Sequence, residues 1–333
     1  MSRFIKLLVL ALFLISLPAE ANAPWGFFAH RRINELAVYT LPTPLFSFYK
    51  EHIDFIKEHA VDPDKRRYGV KGEAERHYID IDHYYKYDTT GRVHANPFNL
   101  MPRKWVDAVE KYTEDTLRAY GIVPWHIPMY KDRLTRAFEQ QDVAKILRYS
   151  AELGHYIADA HVPLHTTENY NGQMTNQKGI HGFWESRIPE LYEDNWDFFV
   201  GKARYVENPL DISWAIVEAS HAGVDSVLRF ERELNEQFPQ DAKYSYEERG
   251  RVLTKVYSEE YSKAYYDMLD GQQERRMRAS VIMVGSVWYS AWVDAGQPNL
   301  VLSQEIDLEE AEKAIQEELN VESKPELKKR EHE

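Results

Sequence analysis

Residues 143–165 constrain the fold more than any other segment of the chain. Their first twelve positions have helix-forming composition and run directly into HYIADAHVPLH, which places His155 and Asp159 one turn apart on the same helical face. Pro163 cannot continue regular helical hydrogen bonding, so the chain should bend just before it. The bend would bring His165 back toward Asp159. Because zinc accepts histidine and carboxylate ligands, this helix end is a candidate metal site.

Helical periodicity recurs along most of the remaining chain, whereas alternating patterns bounded by hairpin turns are scarce. No Gly/Ser-rich linker or fixed-period repeat divides the chain. We therefore expect an all-α fold with a single multi-helix domain. The predicted helices span residues 30–38, 44–59, 103–120, 131–162, 181–200, 211–236, 245–270 and 272–295. The last of these carries a broad apolar stripe at three- and four-residue steps.

Both ends of the chain differ from this helical body. Arg3 and Lys6 precede an apolar run, and Ala21-Asn22-Ala23 has the form of a signal-peptidase site. The run is about half of the roughly 20 residues that span a bilayer as a helix, so we expect a cleaved signal and export to the periplasm or beyond. The predicted divisions are a signal peptide at 1–23, a main domain at 24–304 and a charged tail at 305–333.

The chain lacks cysteine and carries a formal charge of −13. Loss of the signal peptide would remove Arg3, Lys6 and Glu20, which leaves −14. Without thiolates, any transition-metal site must use nitrogen and oxygen ligands. An acidic surface repels polyanions at long range, so duplex DNA is not an expected partner. No stable protein partner is predicted either.

Other segments carry residues that could complete a metal site. His181 and Glu185 repeat the spacing of the pair in the first segment, on a predicted helix that opens after Gly179. The remaining candidates lie upstream and are Trp25, His30, Asp62, Asp64, Arg67, His77 and Asp80. Two pairs of equal spacing, a histidine redirected by proline and the absence of cysteine together predict a metal centre.

The other histidines are expected to be surface or hydrogen-bonded core residues. His161 lies two residues after Asp159 and therefore points from a different face of the helix. The rest have no histidine or carboxylate partner at a persuasive spacing within a coherent motif. They are His52, His59, His83, His94, His126, His221 and His332.

The motifs resemble the superfamily that joins zinc-dependent phospholipases C to the fungal- and plant-type zinc-dependent single-strand nucleases. The similarity runs from Trp25 to about Tyr192 and weakly to about Gly296. The shared pattern is Trp-Gly with a histidine five residues on, then Asp-x-x-Arg, His-Tyr-Ile-Asp, His-Tyr-Ile-x-Asp followed by Pro-Leu-His, and His-x-x-x-Glu. The resemblance implies an all-helical fold and a secreted zinc-dependent phosphodiester hydrolase at residues 24–304.

The resemblance also implies up to three zinc ions per chain. The first would be bound by an upstream aspartate with His77, His155 and Asp159. The second would be bound by His165, His181 and Glu185. The third would be bound by Asp159 as a bridge, His30 and the main-chain amine and carbonyl of Trp25. The family arginine follows its zinc-binding aspartate by three residues, which favours Asp64 over Asp62 and places Arg67 beside the substrate phosphate.

Two positions depart from the family pattern. The family tryptophan is the mature N-terminus and can bind zinc through its free amine, whereas cleavage after Ala23 would leave Pro24 ahead of Trp25. Glu185 stands where the nucleases typically carry aspartate and the phospholipases C carry glutamate. Together with the anionic surface, Glu185 favours the phospholipase branch.

The implied reaction is attack on phosphorus by a zinc-activated hydroxide, with the second zinc stabilising the departing alkoxide and Arg67 neutralising the phosphoryl oxygens. Asp159, which would serve two zinc ions, is the expected key residue. An aromatic wall for a choline-type cation could come from Phe27, Phe28, Tyr78, Tyr84 and Tyr85.

One alternative is a single-strand endonuclease or nucleotidase, in which Asp80 would hydrogen-bond a base. A second is a non-catalytic zinc-binding envelope protein.

Overall fold

The computed structural model describes residues 27–87, 93–249 and 252–300. The predicted signal peptide, Trp25 and the predicted tail at 305–333 lie outside these ranges. Within them, no helix combines the length and the apolar character needed to cross a membrane.

Helices dominate the described chain, which confirms the all-α prediction. The α-helices are α1 (Phe27–Val38), α2 (Thr43–Glu51), α3 (Ile53–Glu58), α4 (Asp62–Arg66), α5 (Pro97–Leu100), α6 (Trp105–Tyr112), α7 (Glu114–Ala119), α8 (Val123–Gln140), α9 (Val143–Ala160), α10 (Ile180–Gly182), α11 (Ile188–Tyr192), α12 (Pro209–His221), α13 (Val224–Gln237), α14 (Glu259–Met268) and α15 (Gln272–Asp294). A π-helical segment, Phe183–Arg187, joins α10 to α11. Two antiparallel hairpins add strands β1 (Lys86–Tyr87), β2 (Val93–Ala95), β3 (Tyr244–Arg249) and β4 (Val252–Tyr257).

Helix α9 lies at the centre of the fold and packs against α1, α3, α8, α12 and α15. Its N-terminus is capped by the Asp142 side chain, which accepts a hydrogen bond from the Lys145 amide. Residues 146–160 are all buried. The helix ends just before Pro163, where the chain enters a 3₁₀ turn that carries His165. The predicted helix and the bend after it are therefore confirmed.

The apolar stripe predicted in the last helix is buried against this centre. Val281, Val284 and Trp288 on α15 are completely enclosed. The Trp288 ring stacks on Tyr49 with centroids 5.0 Å apart, and its indole N–H donates to the Ser150 carbonyl of α9. The stripe therefore anchors the C-terminal helix against the helix that carries His155.

Several predicted helices are interrupted. The segment predicted at 131–162 breaks at Gln141, which adopts a left-handed conformation between α8 and α9. Thr113 has a φ of 68° and separates α6 from α7 in the same way. The helix predicted at 211–236 divides into α12 and α13, and the one predicted at 181–200 ends at Tyr192.

The helix predicted at 245–270 was wrong over its first half. Strands β3 and β4 form a hairpin there, with Tyr244 opposite Tyr257 and Tyr246 opposite Lys255, and only α14 is helical. The segment YSYEERGRVLTKVY contains tyrosine, threonine and valine at alternating positions, which favours strand pairing. The charged helix-forming residues between them concealed this period-two pattern.

Gly154 allows α1 to approach α9 closely. The Asn34 side chain of α1 donates to the Ala151 carbonyl at 2.9 Å, and a Cβ at position 154 would overlap the Asn34 amide. Gly154→Ala should therefore lower the free energy of unfolding by about 1–3 kcal/mol, because overpacking forces the two helices apart. Urea unfolding followed by circular dichroism would measure the change.

Gly69→Ala is the matched control for this substitution. The nearest atom to its added Cβ is the Arg66 carbonyl oxygen at 3.8 Å, so the free energy of unfolding should change by less than about 0.5 kcal/mol. If both variants were as stable as the parent chain, the proposed close contact would be disproved.

Candidate metal centre

Six of the predicted histidines and carboxylates line one cavity of about 390 Å³, namely His30, Asp64, Asp159, His165, His181 and Glu185. Four groups of three residues present ligand atoms within 4.8 Å of one another. These groups are His30, Asp64 and His155; His77, His155 and Asp159; His165, His181 and Glu185; and His30, Asp159 and Glu185. All of these residues are buried except Asp64, which is partly exposed.

The first predicted site forms where α9 meets the segment after α4. His77 Nδ1 lies 2.9 Å from Asp159 Oδ2 and 3.0 Å from His155 Nε2. Asp64 Oδ1 lies 3.6 Å from His77 Nδ1 and 3.6 Å from His155 Nε2. The four residues named for this site are thus brought together, and Asp64 supplies the upstream carboxylate.

The second site shows most clearly why the arrangement fits a cation. His165 Nδ1 and His181 Nδ1 donate to the carbonyls of His77 and Tyr170, at 2.7 and 3.1 Å. In the neutral tautomer that donates from Nδ1, each ring carries a lone pair on Nε2, and the two Nε2 atoms face each other at 3.2 Å. Glu185 Oε2 is 2.7 Å from His181 Nε2. Three electron-pair donors that converge in this way repel one another unless a cation lies between them.

The third group includes His30 on α1. Its Nε2 lies 3.4 Å from Asp159 Oδ1 and 3.5 Å from Glu185 Oε1. His30 also stacks on His155, with ring centroids 3.9 Å apart. Trp25, the other residue named for this site, lies outside the described residues.

Asp159 stands between the groups. Its Oδ2 faces His77 and His155, whereas its Oδ1 faces His30 and lies 3.8 Å from His165 Nδ1. Burial raises the pKa of the Asp159 carboxyl to about 7, because the ionised form is poorly solvated there. A bound cation would favour the ionised form, so this residue could serve two metal ions.

Electrostatics differ between the other ligand candidates. Burial lowers the pKa of His77 well below its usual value and also lowers that of His155, so both rings are neutral at pH 7. Burial opposes ionisation of Glu185, but its contacts with His165, His181 and His30 outweigh burial and hold its pKa well below the usual range. Neutral imidazoles and ionised carboxylates are the forms that bind metals.

A buried ion-pair network lies behind the centre and joins α4 to α9. Arg66 donates to both oxygens of Glu152, at 2.5 and 2.7 Å, and to Glu73 at 2.9 Å. Burial opposes ionisation of Glu152, but Arg66 and Arg148 hold its pKa at about 2. Glu73 Oε1 lies 3.5 Å from His77 Nε2, on the opposite side of the ring from Asp159. The network thus helps to orient a candidate ligand.

Arg67 lines the cavity beside Asp64, with Nη1 3.7 Å from Asp64 Oδ1. It is only 4% exposed, yet its Nε and Nη2 atoms have no hydrogen-bond partner among the described residues. Burying a guanidinium with unpaired N–H donors costs free energy, and an anionic ligand that accepts those hydrogen bonds would offset the cost.

Asp62 is not among the residues that the structure groups at the centre. Its carboxylate contacts His59 at 2.5 Å, Lys65 at 2.9 Å and Arg148 at 3.2 Å. His161, expected to be a bystander, donates to the Ile157 carbonyl and belongs to none of the groups.

Asp80 is buried but does not line the cavity, so the structure does not support its prediction as a substrate-binding residue. Its backbone amide bonds to the Tyr120 carbonyl, and its charge acts on Tyr84 in the core. The aromatic residues expected to form a choline wall are also absent from the lining. The aromatic residues that do line the cavity are Tyr68, Tyr170, Phe183 and Tyr257.

One wall of the cavity comes from residues that none of the sequence motifs indicated. Thr254, Lys255, Val256 and Tyr257 on β4 line it, together with Arg187 from the π-helical segment. Tyr257 stacks on Phe183 at 3.9 Å, and Arg187 pairs with Glu247 on β3. The alternating pattern of the hairpin was the signal that could have revealed this wall.

The fold and the centre define a helical protein with a cluster of histidine and carboxylate ligands suited to zinc. Residues 29–248 match the family model described as zinc dependent phospholipase C. The chain belongs to this family, which makes it a relative of zinc-dependent hydrolases. No curated protein is a detectable match to the chain.

The two aspartates of α4 give a direct test of the ligand assignment. Asp64→Asn should reduce bound zinc by at least one equivalent, because an amide oxygen is a much weaker ligand than a carboxylate. Asp62→Asn is the matched control and should retain the zinc while losing ion pairs with His59 and Arg148. Atomic emission spectroscopy after dialysis would measure the metal, and an unchanged zinc content in Asp64→Asn would refute the assignment.

Proposed function

We propose that the chain is an exported phosphodiester hydrolase that acts as a phospholipase C on phospholipids. Family membership supports hydrolysis, and the observation that carries the proposal is Arg67. This buried guanidinium has two unpaired donor atoms and shares a cavity with all the candidate ligand groups. A phosphodiester is an anion whose oxygens match such donors.

The candidate ligands fit up to three zinc ions, with the sets implied by the family pattern. When bound, zinc acts as a Lewis acid and lowers the pKa of coordinated water toward about 7. Asp159 and Asp64 would hold the positive charge of zinc close to the reacting phosphate. Arg67 would bind the non-bridging oxygens of the phosphate and stabilise the added negative charge of the transition state. His165, His181 and Glu185 would face the leaving oxygen.

The nuclease or nucleotidase alternative retains one supporting observation. The four aromatic residues of the cavity lining could stack a base. Asp80, the residue expected to hydrogen-bond that base, does not line the cavity. A non-catalytic zinc-binding role has no comparable support, because it leaves the unpaired donors of Arg67 unexplained.

A substrate panel separates these functions. The zinc-loaded chain should release phosphorylated head groups from short-chain phospholipids and should leave single-stranded DNA and RNA intact. Phosphate liberated from the released head group by added phosphatase would measure the first reaction, and gel electrophoresis the second. Cleavage of nucleic acid without lipid hydrolysis would favour the sister branch, and a fully zinc-loaded chain with no turnover would favour a non-catalytic role.

Arg67→Gln tests the residue on which the proposal depends. Loss of the guanidinium should lower kcat/KM by about 100-fold, in the range seen when a single transition-state donor is removed. Arg67→Lys should recover part of this loss, because it keeps the charge without the planar fork. Zinc content should stay unchanged in both variants. Wild-type kinetics in Arg67→Gln would contradict the assigned role.

We propose export and the third zinc site together. Both depend on where the signal peptide is cleaved, because only a chain that begins at Trp25 has a free tryptophan amine. Intact-mass analysis of the exported protein should show a mature chain that begins at Trp25 and binds three zinc ions. A chain that begins at Pro24 would have no free tryptophan amine for the third ion, so two zinc ions would be expected. An intact Met1 would disprove signal cleavage.

A further inference from the structure

The acidic and basic side chains that line the cavity differ in the roles open to them. Among the described residues that line it, the carboxylates are Asp64, Asp159 and Glu185, and each belongs to a candidate metal group. The cationic side chains of the lining are Arg67, Arg187 and Lys255. Once the carboxylates hold metal ions, no acidic side chain of the described lining is left to bind a positively charged head group.

Lys255 is the cation of the hairpin wall. Its Nζ lies 3.8 Å from the centroid of the Tyr244 ring, and it makes no ion pair with any described residue. Arg187, in contrast, is paired with Glu247. The positive charge that the hairpin brings to the cavity therefore comes mainly from Lys255.

The same strand offers an unused hydrogen-bonding group. Thr254 lines the cavity, and its Oγ1 is buried without a hydrogen-bond partner among the described residues. A buried hydroxyl of this kind fits a ligand that itself carries hydroxyl groups. The family match ends at residue 248, before β4 begins.

From these contacts we infer that the site selects phospholipids with an uncharged polyol head group, such as glycerol, over those with a quaternary ammonium. The inference rests on the proposed phospholipase function. Lys255 would repel a choline cation, whereas the Thr254 hydroxyl could donate a hydrogen bond to a head-group hydroxyl.

Monomeric short-chain lipids test this preference without the attraction of a charged membrane surface. The zinc-loaded chain should hydrolyse dihexanoyl phosphatidylglycerol with a kcat/KM at least about tenfold above that for dihexanoyl phosphatidylcholine. Lys255→Gln should reduce this ratio by about threefold to tenfold. Calorimetry should show the same order for the product head groups, with sn-glycerol 1-phosphate binding more tightly than phosphocholine.

Lys263→Gln is the matched control, because Lys263 pairs with Asp267 on the exposed side of α14 and does not line the cavity. It should keep the wild-type ratio. Equal or faster hydrolysis of phosphatidylcholine by the parent chain would overturn the inference and leave the phospholipase proposal intact. Hydrolysis of neither lipid would overturn the phospholipase proposal, and the head-group inference with it.

Discussion

The ion pair between Arg66 and Glu152 is the contact on which the candidate centre depends. Arg66 ends α4, next to Arg67 and two residues after Asp64, and Glu152 lies one turn before His155 on α9. A single bidentate contact therefore sets the distance between the carboxylate of one element and the histidine of another. Because burial of two charges is costly, the pair is useful only when its remaining hydrogen bonds are satisfied.

Those hydrogen bonds come from residues that do not line the cavity. Tyr130 donates to Glu152, Tyr156 donates to Glu73, and Arg76 adds a second positive charge beside Glu73. Backbone carbonyls fix the rings of His155, His165 and His181 from outside in the same way. The ligand atoms are thus positioned before any ion arrives, which reduces the reorganisation that metal binding requires.

The parts of the site that depend on local spacing could be predicted from the sequence. His155 and Asp159 share a helical face, and Pro163 ends the helix, because both facts follow from backbone geometry within a few residues. The choice between Asp62 and Asp64 followed only from the family resemblance. Its physical reason is the tertiary contact between Asp62 and Arg148, which no local pattern reveals.

The residues that surround the ligands were harder to predict. The hairpin was predicted to be helical because charged helix-forming residues obscure its alternating pattern. The cavity wall that contains Lys255 was therefore not predicted either. Asp80 was assigned a role by its place in a motif, yet a backbone bond to Tyr120 fixes that segment away from the cavity lining. Lining residues come from distant parts of the chain, so their identity depends on packing rather than on sequence neighbourhood.

The hairpin has a consequence for how this protein could diversify. Its two strands pair with each other, and side-chain contacts such as Tyr257 with Phe183 and Glu247 with Arg187 attach it to the helical body. The ligand candidates, in contrast, are embedded in helices that tolerate little change. The residues of β3 and β4 could therefore vary between related chains, and change which substrates enter, while the candidate metal-binding residues stay constant.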